Sequence, residues 1–265
     1  MKNIPIVVVA FGTTSRAMQT YDVMNTIFQQ RFAGHEIHWA FSSRMVAHHL
    51  SRKQNGTRPR PHQVLETLAA AGHPWAVVQS LHLTCGHEFY RLVSEVDHPG
   101  IRTSIGLPML SAPEDHAALL EALRPVLTVD PAEAVVLIGH GTDHPAWTTY
   151  TALAHRLQNR YGQRVQIGVV EQGYPDRDTV IRNVATAGYG KARLVPLLLV
   201  AGVHFAEDLA GEQDSWKSTF EAAGIHVALA QDGLGHTPAI VEIFCHHTEA
   251  ALDVIPAKSL FENPV

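Results

Sequence analysis

Three apolar runs decide the fold: Ala134–His140 (AVVLIGH), Val165–Glu171 (VQIGVVE) and Ala192–His204 (ARLVPLLLVAGVH). Each ends on a side chain able to bind a metal, and the ends His140, Glu171 and His204 are almost evenly spaced. The interval suits one strand–helix–strand unit of about 30 residues. As neighbouring parallel strands, the runs would open their C-terminal ends onto one crevice, where open α/β sheets bind ligands. Two imidazoles and a carboxylate would then converge on one point. Such a set suits a divalent transition metal with coordination positions left open for chemistry.

Outward from these runs, the chain alternates strand and helix patterns. Strands are expected at Ile4–Ala10, His35–Phe41, Trp75–Leu83 and Ile101–Leu107, with a helix carrying Tyr21, Met24, Ile27 and Phe28 at helical spacing. A further helix covers Asp115–Leu123, and Thr128-Val129-Asp130-Pro131 reads as a linker. The pattern then restarts with a strand over Ala134–Ile138, a helix from about Ala146 to Tyr161, and strands at Val165–Val170, Arg193–Val200 and His226–Ala230. Thr237-Pro238 opens a last helix, a capping hydroxyl followed by proline at the first helical position. That helix places Ile240, Ile243, Phe244 and His247 on one face.

The halves align. Phe11-Gly12-Thr13 precedes His140-Gly141-Thr142 by the same interval that separates Ser42 from Glu171. At a slightly shorter interval, Gly86-His87-Glu88-Phe89 precedes Gly202-Val203-His204-Phe205. Phe11, Ser42 and Glu88 thus stand where the second half has His140, Glu171 and His204. The expected fold is α/β, with two similar doubly wound domains whose parallel sheets face a central cleft. The expected domains are residues 1–129 and 130–265, the second carrying the metal ligands.

Composition fits a well-packed chain. Of 265 residues, 46% are hydrophobic and only 17% charged, and no stretch approaches the roughly 18 apolar residues of a membrane span. Neither a membrane partner nor an export signal is expected. The net charge of -5 offers no basic field for nucleic acid. Cys85 and Cys245 belong to no Cys-x-x-Cys pair and read as free thiols of a reducing, cytoplasmic compartment. Histidine is unusually abundant, 18 residues against 20 Lys plus Arg, so abundance alone identifies no site. His48-His49 and His246-His247 each fall in a helical pattern, where adjacent residues point in different directions, and read as surface positions.

Each candidate also has a plainer role. His140 would serve as a turn histidine, Glu171 as a cap on the following helix, and His204 as a half-buried surface residue. Their common position after an apolar strand favours the ligand role. Imidazole and carboxylate without thiolate suit Co, Ni, Fe or Zn without choosing among them. No His-Glu-x-x-His helix, Gly-x-Ser-x-Gly elbow or phosphate-binding Gly-x-x-x-x-Gly-Lys loop occurs. The turn Gly12-Thr13-Thr14-Ser15 exposes N–H groups and hydroxyls at a helix start, where an anionic group can bind. Ser42 and Arg44, at another strand end, could meet the same anion, as could Gly141 and Thr142. His82, after Ser80-Leu81, is a candidate axial heme ligand on the surface of an oligomer, beside the plainer role of a strand-end histidine.

Several segments together resemble one family. AFGTTS (Ala10–Ser15), SLH (Ser80–His82) with Gly86-His87-Glu88, GHGT (Gly139–Thr142), VEQGYP (Val170–Pro175) and LLLVAGVHFAEDLAG (Leu197–Gly211) resemble the CbiK-type anaerobic cobalt chelatases. The likeness spans nearly the whole chain. It implies a class II chelatase fold, with the last helix (about 237–255) packing back on the first domain, and insertion of Co2+ into sirohydrochlorin, or its precursor precorrin-2, on the early-insertion route to cobalamin. It further implies that His140, Glu171 and His204 bind the metal and that Glu88 lines the cleft opposite. Gln172 departs from the pattern, standing where relatives often run directly from Glu to Gly. On this reading His140 and His204 also accept pyrrole protons, and Glu88 shuttles them. Insertion of Fe2+ or Ni2+, or a carrier binding metal or tetrapyrrole without turnover, remain the alternatives, and a homo-oligomer is compatible with the sequence.

Overall fold

A computed structural model describes residues 3–13, 18–43, 59–202 and 205–256. The strands are β1 (Ile6–Ala10), β2 (Ile37–Phe41), β3 (Trp75–Ser80), β4 (Arg102–Gly106), β5 (Ala134–Gly139), β6 (Val165–Val169), β7 (Lys191–Leu197) and β8 (His226–Leu229). They form two four-stranded sheets of orders β2-β1-β3-β4 and β6-β5-β7-β8. All pairings are parallel. In each sheet the chain steps to one side after its first strand and then crosses to the other. The switch point therefore lies beside β1 in one sheet and beside β5 in the other.

The described helices are α1 (Gln19–Arg31), α2 (Pro61–Ala70), α3 (His87–Glu95), α4 (Pro113–Leu127), α5 (Thr148–Tyr161), α6 (Arg177–Thr186), α7 (Trp216–Ala222) and α8 (Pro238–Asp253). Their starts follow from local chemistry. Proline occupies the first position of α2 and α4, where its missing N–H costs nothing. Gln63 and Asp115 accept the N–H groups of Arg60 and Ala112 at 2.8 and 2.7 Å. Asp176 and Ser215 accept the N–H groups of Thr179 and Ser218 to cap α6 and α7. Four helices have no counterpart among the expected elements: α2, α3, α6 and α7. Each has ten residues or fewer, too short for a helical period to stand out.

β1 and β5 are buried along their whole length, which explains their unbroken apolar runs. In the first sheet Val7, Val9 and Val78 pack on Leu65, Leu68 and Leu92. In the second, Val136, Ile138 and Leu194 pack on Val184, Trp216 and Phe220.

The hydrogen-bond ladders reveal the internal duplication. Phe11 and His140 both follow the first strand of their sheet. Val77 and Arg193, separated by the same interval as Gly86 and Gly202, hold matching registers against β1 and β5. The repeat extends into the loops. Met109 and Leu110 donate to the carbonyls of His82 and Leu83, as Leu234 and Gly235 donate to Leu198 and Leu199. One expected equivalence shifts by a residue. Ser43 N–H donates to the Phe11 carbonyl, as Glu171 N–H donates to that of His140, so Ser43 rather than Ser42 occupies the position of Glu171. The first half has one more residue between these points.

The chain divides into two compact units, and the division does not follow chain order. The first unit holds the first sheet, α1 from Asn25, α2, α3, and α8 from Val241. The second holds the second sheet, α1 through Met24, α4, α5, α6, α7 and the start of α8. The expected linker at residues 128–131 marks where the sequence pattern restarts, whereas the contacts change allegiance between Ser111 and Ala112. Within the first unit, α8 is tied by Thr248 Oγ1–H donating to Gln79 Oε1 (2.9 Å) and His247 Nδ1–H donating to the Leu107 carbonyl (2.8 Å). Arg31 pairs with Glu242 and Glu249. His246 is exposed.

Candidate metal centre

The candidate centre is built from two loops of the second sheet. Past their last ladder residues, β5 and β6 stay hydrogen-bonded. Val170 N–H donates to the Gly139 carbonyl (3.0 Å) and Glu171 N–H to the His140 carbonyl (2.8 Å). His140 and Glu171 are thus backbone neighbours at the C-terminal edge of the sheet, and both are exposed.

The loops interlock because two glycines adopt positive φ. Gly141 (φ 87°) lies where a Cβ would come within 2.7 Å of the Gln172 carbonyl oxygen. Gly173 (φ 128°) lies where a Cβ would meet the Thr142 carbonyl oxygen at 3.1 Å. Only glycine accepts both the backbone shape and the close approach. The base of the second loop is closed by Val169 N–H donating to the Pro175 carbonyl (3.1 Å). Gln172 supplies the carbonyl against which Gly141 packs.

Hydrogen bonds orient the first loop. His140 Nδ1 lies 3.1 Å from the carbonyl of Gly141. An Nδ1–H donor there leaves the lone pair on Nε2, the form a metal-binding imidazole needs. Gly141 N–H donates to the hydroxyl of Tyr150, which is buried in α5 (3.3 Å). Burial raises the Tyr150 pKa above its ordinary value, outweighing the opposite effect of the Gly141 bond, so the phenol stays neutral. The Thr142 hydroxyl accepts the His144 N–H (3.1 Å), and His144 Nδ1 accepts the Ala146 N–H. Thr142 is therefore engaged in shaping the turn before α5. Beyond the second loop, the Thr179 N–H holds the Asp176 carboxyl below the usual carboxylate range and fixes the start of α6.

The other expected site residues divide. His204, Thr14 and Arg44 lie outside the described residues, as do His48 and His49. Among the described residues no three His, Cys, Asp or Glu side chains are grouped as a metal site requires. In the first unit, Gly12 has φ 101° beside an exposed Phe11. Thr13 is buried, and Ser42 N–H is spent on the Ala10 carbonyl (2.9 Å). Glu88 lies in the first turn of α3, half-buried and paired with Arg91. His82 Nδ1 meets the Ser80 hydroxyl at 2.8 Å, while its Nε2 is enclosed without a partner. An axial bond from that nitrogen to a surface heme would need the enclosing wall to open. Cys85 and Cys245 are free thiols.

Two supports of the centre escaped the sequence reading. Tyr150 was one, although Tyr21 precedes it by the same interval that relates the two Gly-Thr turns. Gly173 was the other, and nothing in composition marks its positive φ.

Comparison with known proteins identifies the family. The family model "Cobalt chelatase (CbiK)" matches residues 5–253. A sirohydrochlorin cobaltochelatase of Salmonella typhimurium is 38% identical over 221 residues, 81% of this chain and 83% of that protein. Sirohydrochlorin cobaltochelatase CbiKC of Nitratidesulfovibrio vulgaris is 32% identical over 262 residues, 94% of this chain and 91% of the other. The structure of SirB from Bacillus subtilis with Fe3+ shares the fold, with a TM-score of 0.68 at 19% identity, covering 99% of this chain and 98% of that one. With the strand-end arrangement and a match running from β1 to the last helix, the chain belongs to the CbiK cobalt chelatase family.

Proposed function

We propose that the protein inserts Co2+ into sirohydrochlorin, with His140, Glu171 and His204 holding the incoming ion. The observation that carries this reading is the 2.8 Å bond from Glu171 N–H to the His140 carbonyl. It makes His140 and Glu171 backbone neighbours at a sheet edge, in a chain of the cobalt chelatase family.

Insertion requires Co2+ to lose water and the macrocycle to lose two pyrrole protons. A donor set of two imidazoles and one carboxylate holds a partly hydrated ion and leaves positions open toward the ring. As a ring nitrogen forms its bond to cobalt, its N–H proton must go to a base. Neutral imidazole suits that task near neutral pH. His140 Nε2 gives up the ion and takes a proton in the same exchange, and His204 does the same for the second. Glu171 completes the coordination while the metal waits. Glu88 carries protons toward solvent. Because the metal is a substrate, the site must release it at every turnover, so moderate affinity serves better than tight binding.

The test is anaerobic insertion into sirohydrochlorin followed by absorbance, comparing Co2+, Fe2+ and Ni2+. The wild type should turn over repeatedly with Co2+, and His140→Ala, His204→Ala and Glu171→Ala should each lose most of that activity. Stoichiometric uptake without turnover would establish a carrier instead. Full activity in the histidine variants would remove them from the metal site.

A further inference from the structure

Among the described residues of the second unit, the exposed large apolar side chains are Val129, Trp147 and Tyr174. Both aromatic ones fall on the two loops of the candidate metal centre. Tyr174, 49% exposed, lies three residues after Glu171 on the loop closed by Val169 and Pro175. Trp147, 37% exposed, follows His140 by seven residues, and its N–H donates to the His144 carbonyl (2.9 Å). A single exposed aromatic needs no explanation. Two of them, one on each interlocked loop, do.

The backbone that carries these rings is held in place. The Glu171 carboxylate and the Tyr174 ring are carried on one short segment whose base is hydrogen-bonded and whose middle is fitted against Thr142 through Gly173. Thr142, two residues after His140, is likewise joined to Trp147 by turn hydrogen bonds through His144. Each ring thus springs from the same held loop as a candidate ligand.

We propose that Tyr174 and Trp147 are substrate-positioning residues that bind a face of the tetrapyrrole. This rests on the chelatase reading above. A tetrapyrrole is a flat conjugated disc with apolar faces and a rim of carboxylates. Metal enters through a face, so whatever adjoins the ligands must meet the face and not the rim. An aromatic ring fits that surface by offset stacking, which adds to the gain from apolar burial. The two rings therefore set the distance and tilt of the macrocycle over the metal, while His140 and Glu171 hold the ion itself. Metal affinity and macrocycle affinity then reside on different side chains of the same two loops.

The experiment measures two dissociation constants for the full-length protein: metal-free sirohydrochlorin by absorbance titration, and Co2+ alone by calorimetry. Variants are Tyr174→Ala, Tyr174→Leu and Tyr174→Phe, with Trp147→Ala and Trp147→Phe. Each alanine variant should weaken tetrapyrrole binding roughly tenfold, with Co2+ binding unchanged. The phenylalanine variants should retain most of the affinity, and Tyr174→Leu should fall between. Unchanged tetrapyrrole affinity in both alanine variants would overturn the proposal. So would a parallel loss of Co2+ affinity, which would mean that the rings only brace the loops. Both constants are read without turnover. A wild type that binds through these rings yet inserts no metal would therefore refute the chelatase reading and uphold the stacking role.

Discussion

Acid should destabilise this protein through His82. The residue follows β3, its Nδ1 meets Ser80 and its Nε2 is enclosed with no partner. Burial drives its pKa from the ordinary 6.5 down to about 4, so the folded protein holds the ring neutral. An unfolded chain takes up the proton below about pH 6.5, whereas the folded chain resists until about pH 4. Stability is therefore full above the unfolded value and falls as the pH drops between the two. Between about pH 7 and pH 5 the loss from this one group is about 2 kcal/mol, and it approaches about 3 kcal/mol near pH 4. The assay is urea unfolding at several pH values for wild type and His82→Asn, which offers an amide to Ser80 but does not titrate. The stability difference between the two should shift by about 2 kcal/mol over that interval, with the wild type losing more. Identical pH dependence would refute the reasoning, because it would mean that His82 is protonated within the fold.

Other changes should act locally. Gly141→Ala forces a side chain into positive φ and against the Gln172 carbonyl, and should cost about 1–3 kcal/mol in thermal unfolding along with most Co2+ affinity in calorimetry. Tyr150→Phe removes the acceptor of the Gly141 N–H; about 1–2 kcal/mol of stability should be lost, with a several-fold weaker Co2+ constant. Thr248→Val leaves the buried Gln79 carbonyl without its hydroxyl donor and should lower stability by about 1–3 kcal/mol in urea titration, while Co2+ binding is unaffected. Arg193→Leu strips the largely buried Glu133 of its 2.9 Å partner, so chemical denaturation should show a loss of about 1–3 kcal/mol.

The sheets were legible because their central strands are apolar on both faces, and burial on both faces writes an unbroken run such as Ile6–Ala10. The internal repeat was legible in the Gly-Thr turns, although the ladder was needed to show that Ser43, not Ser42, faces Phe11. A single added residue in a connection is invisible until strands are paired, since register is a property of two segments. His140 and Glu171 could be singled out because each closes an apolar run. What brings them together could not be read in advance. The fit of Gly141 against Gln172 and of Gly173 against Thr142 depends on backbone angles in two loops that have α5 and β6 between them. The allegiance of α4 was hidden for a similar reason, because a linker records where a pattern restarts and not which sheet a helix covers, whereas the family resemblance already implied that of α8.

That allegiance bears on how the chain is made. The first sheet is complete once synthesis passes Gly106, but the helix that answers the buried carbonyl of Gln79 lies at Thr248. At about 5–20 residues per second, some seconds to half a minute separate the two on the ribosome. Through that interval the earliest-made unit waits, unfinished, for the last part of the chain. A premature stop within α8 would accordingly damage the N-terminal sheet before it damaged the one beside it in sequence, and a nascent chain stalled there is the species on which chaperones would be expected to act.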